Sequence, residues 1–221
     1  MGKLFVIEGV DGAGKNTLAR RLVSAWERDG LSVERIGFPR YDRSVHADLA
    51  AEALHGEHGD TAGSVHAMAL LFALDRRDAG DEIRKLLSDN DIVLLDRYVA
   101  SNAAYTAARL GQSADGEAVE WIRSLEFDRF AVPVPDVQIL LDVPVALAAE
   151  RAAARESADA ARTRDAYELD GSLQSRTSAA YGMLAASHWM SPWRVVTADV
   201  DPDRLAADMF NQPSGVRKVT P

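Results

Sequence analysis

The 221-residue chain contains no cysteine. That absence excludes disulfide scaffolds, thiolate zinc sites and cysteine nucleophiles. Positive charge is scarce as well: 25 Lys and Arg face 34 Asp and Glu, for a net charge of -9. A field of that sign repels phosphate, so the chain is a poor generic binder of nucleic acid polymers or anionic membranes. Any phosphate it holds must be held by local devices. Long apolar runs are missing too, and nothing approaches the roughly 18 residues of a membrane span. The opening run Leu4–Ile7 is too short for the apolar core of a signal peptide, and a cytoplasmic protein is expected. There is no internal repeat and no Pro/Gly/Ser-rich linker. One domain over residues 1–210 is therefore expected, with a polar tail at 211–221.

What is present is an apolar content of 47%, enough for a sizeable core. Apolar runs of strand length alternate with helical patterns. Strands are expected at Leu4–Ile7, Leu31–Phe38, Ile92–Leu95, Val137–Val143 and Arg194–Thr197. Helices are expected at Asn16–Asp29, Ser64–Arg77, Ser101–Leu110, Gly116–Phe127, from Val145 onward, Asp165–Ser187 and Pro202–Phe210. Strands that are apolar throughout imply an α/β fold with a parallel sheet covered on both faces. Ligands of such sheets sit beyond the carboxyl ends of the strands.

Gly9-Val-Asp-Gly-Ala-Gly14-Lys15 follows the first strand and opens a helix. Its glycines let backbone amides converge on phosphate oxygens, and Lys15 reaches the terminal phosphates. Gly9, Asp11, Gly12, Ala13, Gly14, Lys15, Asn16 and Thr17 are thus the nucleotide-binding candidates. The motif has Ser or Thr after the Lys as a Mg2+ ligand, and Asn16 stands there instead. Either its amide oxygen substitutes, or carboxylates and water hold the metal. Asp11, inside the loop, suits the metal or a sugar hydroxyl.

Asp96-Arg97-Tyr98 closes an apolar strand some eighty positions later. An Asp there suits Mg2+. An Arg suits a second phosphate. Phe38-Pro-Arg40-Tyr41 offers a cation and a phenol to the same cleft, and Ser101, Asn102 and Tyr105 follow within about one helical turn. Two phosphate sites imply a donor nucleotide and a phosphorylated acceptor.

GVDGAGKNT, FPRY, LFALDR, DRYVASNAAY, LLDVP and the Arg-rich stretch before RDAYE resemble bacterial thymidylate kinases. AEALHGEHGD and DRYVASNAAY resemble the mycobacterial type in particular. The resemblance runs from Leu4 to about Leu205. It implies a phosphate-loop nucleoside monophosphate kinase fold with five parallel strands wrapped by helices and a short Arg-rich lid. It also implies a homodimer, and transfer of the γ-phosphoryl group of ATP to dTMP with Mg2+. The same resemblance implies that Arg97, with Tyr41 and the main chain of Phe38, holds the dTMP phosphate. Phe72 would stack on thymine, Arg76 and Asn102 would read its polar edge, and Tyr105 would close against the 2′ position. Asp165 and Glu168 would flank acceptor and metal, with Tyr167 beside them. The catalytic candidates are Asp11, Lys15, Arg97 and Arg155; the metal candidates are Asp11, Asp96 and Glu168.

Phe72 and Arg76 are four apart, so ring and guanidinium share a helix face. Arg151, Arg155 and Arg162 fall within roughly a 40° wedge of an unbroken helix, and Arg164 points elsewhere. Such a run is ordinarily a solvated face. The resemblance turns it into a lid at about 150–165 that supplies the cation the loop lacks. Two alternatives stand beside this reading: another nucleoside monophosphate kinase, and a regulatory NTP-binding switch. His55-Gly-Glu-His58-Gly-Asp60 reads as a glycine-broken loop rather than a zinc site, and Trp189 and Trp193 as packing anchors.

Overall fold

A computed structural model describes residues 2–158 and 165–210, with only the backbone at 155, 157 and 158. Five strands form one all-parallel sheet: β1 (Lys3–Glu8), β2 (Val33–Gly37), β3 (Ile92–Asp96), β4 (Val137–Leu141) and β5 (Trp193–Val196). Their order is β2-β3-β1-β4-β5, which puts β1 in the centre. Side chains alternate faces along a strand, and here both faces are apolar. Leu4 and Val6 of β1 join one core cluster with Val93, Leu95 and Leu140. Phe5 and Ile7 join the other with Ile92, Leu94 and Ile139. Phe5 meets Trp26 there, ring centroids 5.5 Å apart.

The helices are α1 (Lys15–Arg28), α2 (Val45–Leu54), α3 (Val65–Asp78), α4 (Gly80–Asp89), α5 (Val99–Leu110), α6 (Glu117–Arg123), α7 (Val145–Ala158), α8 (Ala166–Leu169), α9 (Gly171–Ala186) and α10 (Pro202–Phe210). Helices α2 and α4 had no counterpart in the sequence reading. The signal for α2 was Ser44, whose hydroxyl accepts from Ala47 N. The pattern at Gly116–Phe127 gives α6 and then a π-helical turn over Ser124–Arg129. The single helix expected at Asp165–Ser187 is two. Asp170 caps α9 by accepting from Ser172 N and Leu173 N, so the chain breaks there. Trp193 is buried and donates to Trp189 O at 3.0 Å, and Trp189 packs on Phe127, as anchors should. Among the described residues, no helix is long and apolar enough to cross a membrane. Arg162, Arg164 and the tail lie outside the described residues, as does the side chain of Arg155.

Candidate active site

The carboxyl ends of β1, β2 and β3 open into a cleft of about 960 Å³. That is the upper end of the range for ligand pockets, with space for more than one small ligand. Five cationic side chains line it against four carboxylates, so its walls are locally positive in a chain of net charge -9.

One wall is the phosphate loop. Gly12 has φ +83°, and a Cβ there would lie 1.9 Å from the carbonyl of Ala148 on α7. Only glycine fits where loop and helix touch. Lys15 folds back to donate from Nζ to Gly9 O and Val10 O, each at 2.9 Å. Burial, reinforced by the charge of Arg97, lowers its ammonium to about 8, while Asp11, Asp96 and Glu8 pull the other way. Asn16 and Thr17 are exposed and line the cleft. Arg151 already reaches the loop, donating from Nη1 to Ala13 O at 3.2 Å.

The facing wall begins at Arg97, a non-glycine residue at φ +66° whose N–H donates to Ile7 O at 2.9 Å. Such left-handed backbone is uncommon and recurs at functional positions. Arg97 Nη2 donates to Asp11 Oδ1, Nη1 donates to Ser101 Oγ at 3.2 Å, and Tyr105 Oη donates to Asp11 Oδ2 at 2.8 Å. Behind them the fully buried Glu8 accepts from Tyr98 N (2.9 Å), Ser101 Oγ (2.6 Å) and Tyr181 Oη (2.9 Å). Burial raises its carboxyl, against hydrogen bonds from Ser101 and Tyr181 and the charge of Arg97. Glu8 therefore pins the start of α5 against β1 and α9.

The floor carries Phe38, Phe72, Arg76 and Asn102. Arg76 is bound twice by Glu126, at 2.5 and 2.7 Å, and Asn102 Nδ2 donates to Glu126 Oε1 at 2.8 Å. The mouth carries Tyr41, 44% exposed, and the segment before α9. There Asp165 and Glu168 form a capping box on α8. Tyr167 stacks on Tyr105 with centroids 5.9 Å apart, and Arg109 lies 4.9 Å over its ring while donating to its hydroxyl. Burial pushes the Tyr167 phenol up to about 12.

The cleft thus gathers Gly12, Gly14, Lys15, Asn16 and Thr17 with Asp11, Asp96, Arg97, Ser101, Tyr105, Asp165, Tyr167 and Glu168. Arg40 does not join them. Its Nε and backbone N donate to the buried Asp75 carboxylate at 2.8 and 3.0 Å, and Nη2 donates to Asp75 O. A buried arginine needs such a partner, and Asp75 supplies it away from the cleft. The proposed metal carboxylates are spread out. Among the described residues, the one acidic or His trio with ligand atoms within 4.8 Å of one another is Glu52, Glu57 and His58, not Asp11, Asp96 and Glu168. In that surface trio His58 Nε2 and Glu52 Oε2 share an exposed hydrogen bond at 2.6 Å.

Sequence reasoning missed Glu126, Arg109 and Gln174, whose side-chain amide contacts Tyr105 Oη and Tyr167 O. Arg109 was findable: it lies four residues after Tyr105 on α5. Nothing local marks Glu126, which reaches Arg76 across 50 positions.

Residues 7–187 match the model of the thymidylate kinase family. A thymidylate kinase of Mycobacterium tuberculosis (strain ATCC 25618 / H37Rv) is 56% identical over 206 residues, 93% of this chain and 96% of the relative. A probable thymidylate kinase of Thermococcus kodakarensis is 35% identical over 145 residues, 64% and 66% of the two chains. The human thymidylate kinase is 28% identical over 208 residues, 94% and 88%. A family match that runs from inside β1 to just past α9, over a five-stranded parallel sheet with a phosphate loop, settles the assignment: the chain belongs to the thymidylate kinase family.

Proposed function

We propose that the cleft holds ATP and dTMP together and carries the phosphoryl group between them within a single domain over residues 1–210. The reaction follows from the family: ATP phosphorylates dTMP to dTDP. One observation carries the assignment of roles. Arg97 and Tyr105 converge on Asp11 inside the phosphate loop, so a second anion and sugar site faces the donor site across one cleft. Phosphoryl transfer needs little beyond positioning and charge. Lys15 and the loop amides take the ATP phosphates, with Arg151, Arg155 and Arg162 as further cations for them. Arg97 takes the acceptor phosphate. Its ion pair with Asp11 holds the guanidinium in place, and an incoming phosphate would compete for the same donors. Phe72 takes the base, and Arg76 and Asn102 take its edge.

The family's reaction uses a divalent cation, and the oxygen donors here fit Mg2+. Mg2+ keeps much of its water and takes only one or two carboxylates besides substrate phosphates, so a protein trio is not required. Asp96 gives one oxygen to Arg35 at 2.8 Å and lines the cleft with Asp11, Glu168 and Asn16. Asp11, Asp96, Glu168 or Asn16 would hold it, and it would supply positive charge to neutralise the phosphate groups. The homodimer rests on the family resemblance, and the cytoplasmic location on the lack of a long apolar run in the sequence.

A coupled ADP-release assay across nucleoside monophosphates tests this reading. dTMP is the expected best acceptor. dUMP, lacking one methyl, should be about 10–200-fold weaker. Equal turnover of dTMP, dCMP and dGMP would overturn the base site. ADP release without any acceptor would favour a hydrolytic switch.

A further inference from the structure

Glu126 does not line the cleft, and none of its side chain is exposed. It sits in the π-helical turn that follows α6, a distortion that often marks functional positions. Both of its oxygens accept from Arg76, Oε2 from Nε and Oε1 from Nη2. A carboxylate only accepts. Asn102 Nδ2 therefore donates one hydrogen to Glu126 Oε1 at 2.8 Å and the other to Ala69 O at 2.9 Å. Both partners lack a donor, so the amide cannot turn over without setting its oxygen against two acceptors. Asn102 is left with Oδ1 alone to offer a ligand. Arg76 gives its Nε hydrogen and one Nη2 hydrogen to Glu126, which leaves Nη1 as its unbonded nitrogen.

Both remaining atoms are open to the cleft. Among the described residues, the buried side-chain polar atoms without a partner are Tyr98 Oη and Thr177 Oγ1 only. Arg76 Nη1 and Asn102 Oδ1 are thus unbonded yet accessible, on residues that line the cleft. The edge presents a guanidinium that only donates beside an amide oxygen that only accepts. Thymine offers the complement, an O4 acceptor beside an N3–H donor. Cytosine offers an N4 amino donor beside a bare N3, and opposes both.

We propose that Glu126 is a positioning residue that sets the hydrogen-bond polarity of the base-reading edge, so that the cleft accepts thymine and rejects cytosine. This rests on the reading that Arg76 and Asn102 face the base. Sites built to pair a polar group discriminate strongly, because a mismatch leaves buried groups unpaired.

The test is the ratio of kcat/KM for dTMP over dCMP in wild type and in Glu126→Gln, with KM for ATP and the thermal midpoint measured alongside. The ratio should fall at least about tenfold, mainly through KM for dTMP, with KM for ATP unchanged. An unchanged ratio in a folded variant overturns the role of Glu126 and leaves the base site standing. A wild type with no preference for dTMP over dCMP overturns the base site itself, and Glu126 with it. A second measurement needs no variant. Binding of N3-methyl-dTMP to wild type should be at least about tenfold weaker than that of dTMP, because the methyl group removes the N3–H donor. Equal binding overturns the polarity argument however the variant folds.

Discussion

Arg97 and Asp11, 86 positions apart in the chain, meet as an ion pair that joins the end of β3 to the inside of the phosphate loop. Burial works to raise the Asp11 carboxyl. The charges of Arg97 and Lys15 and the hydroxyl of Tyr105 outweigh it and hold the group well below the usual carboxylate range. Asp11 is therefore a fixed anion and hydrogen-bond acceptor at working pH, and a poor base.

Removing the pair's cation should damage both binding and acid stability. Losing one member of a buried charge pair costs about 2–5 kcal/mol, so Arg97→Met should lower kcat/KM for dTMP by about thirtyfold or more. The depressed value of Asp11 adds stability that is present above its ordinary value of 3.8 and disappears as pH falls through the folded value. Denaturant titrations at pH 7 and at pH 3 check this. The gap between wild type and variant should narrow in acid, and a gap that widens would contradict it.

Tyr105 combines two duties that substitution separates. Its hydroxyl donates to Asp11, and its ring stacks on Tyr167. Tyr105→Phe keeps the ring and should keep the preference for dTMP over ribothymidine monophosphate, with a modest loss of rate. Tyr105→Ala removes the ring and should narrow that preference while weakening acceptor binding. The comparison is the kcat/KM ratio of the two substrates, and identical ratios in wild type and Tyr105→Ala would rule out a role in sugar discrimination.

Lys15 gives the site a pH limit on the alkaline side. With its ammonium lowered to about 8 by burial and by Arg97, the free enzyme loses this charge above that pH. A neutral amine cannot hold the donor phosphates, so kcat/KM for ATP should decline above about pH 8. kcat should hold to higher pH, since bound phosphate favours the charged form. The stability sign is opposite. Between about 8 and the ordinary 10.5 the unfolded chain binds the extra proton, so the ligand-free protein should gain stability with rising pH. Lys15→Met should lack that gain in chemical denaturation.

The lid makes a kinetic prediction. Arg151 touches the loop from α7, and Arg155 lies one turn further along the same helix. A well-placed arginine contributes about 10³–10⁵ in kcat. Arg155→Ala should lower kcat far more than it raises KM for dTMP, and Arg155→Lys should rescue poorly because a point charge lacks the guanidinium fork. A larger loss in Arg164→Ala would move the role to that residue.

Local order carries a good part of this molecule. Leu4–Ile7 is apolar at every position, and it became the central strand with alternate side chains in two cores. Gly9–Lys15 specifies a strand–loop–helix turn through glycines whose conformation other residues rarely adopt. Ser101, Asn102 and Tyr105 share a face of α5 because helical periodicity requires it, and so does the unnoticed Arg109. Even the break at Asp170 was written locally, in an N-cap residue followed by Gly171. The long-range pairings were not. A charged side chain is solvated until an element arrives to bury it, and the partner then available depends on which surfaces pack together. Arg40 sits next to Tyr41, yet α3 brings Asp75 against it and takes it out of the cleft. Arg76 faces the cleft as its spacing from Phe72 suggests, but the turn after α6 brings Glu126 behind it. Only that meeting, 50 residues apart in the chain, decides which of its nitrogens, and which end of the Asn102 amide, are left for a ligand.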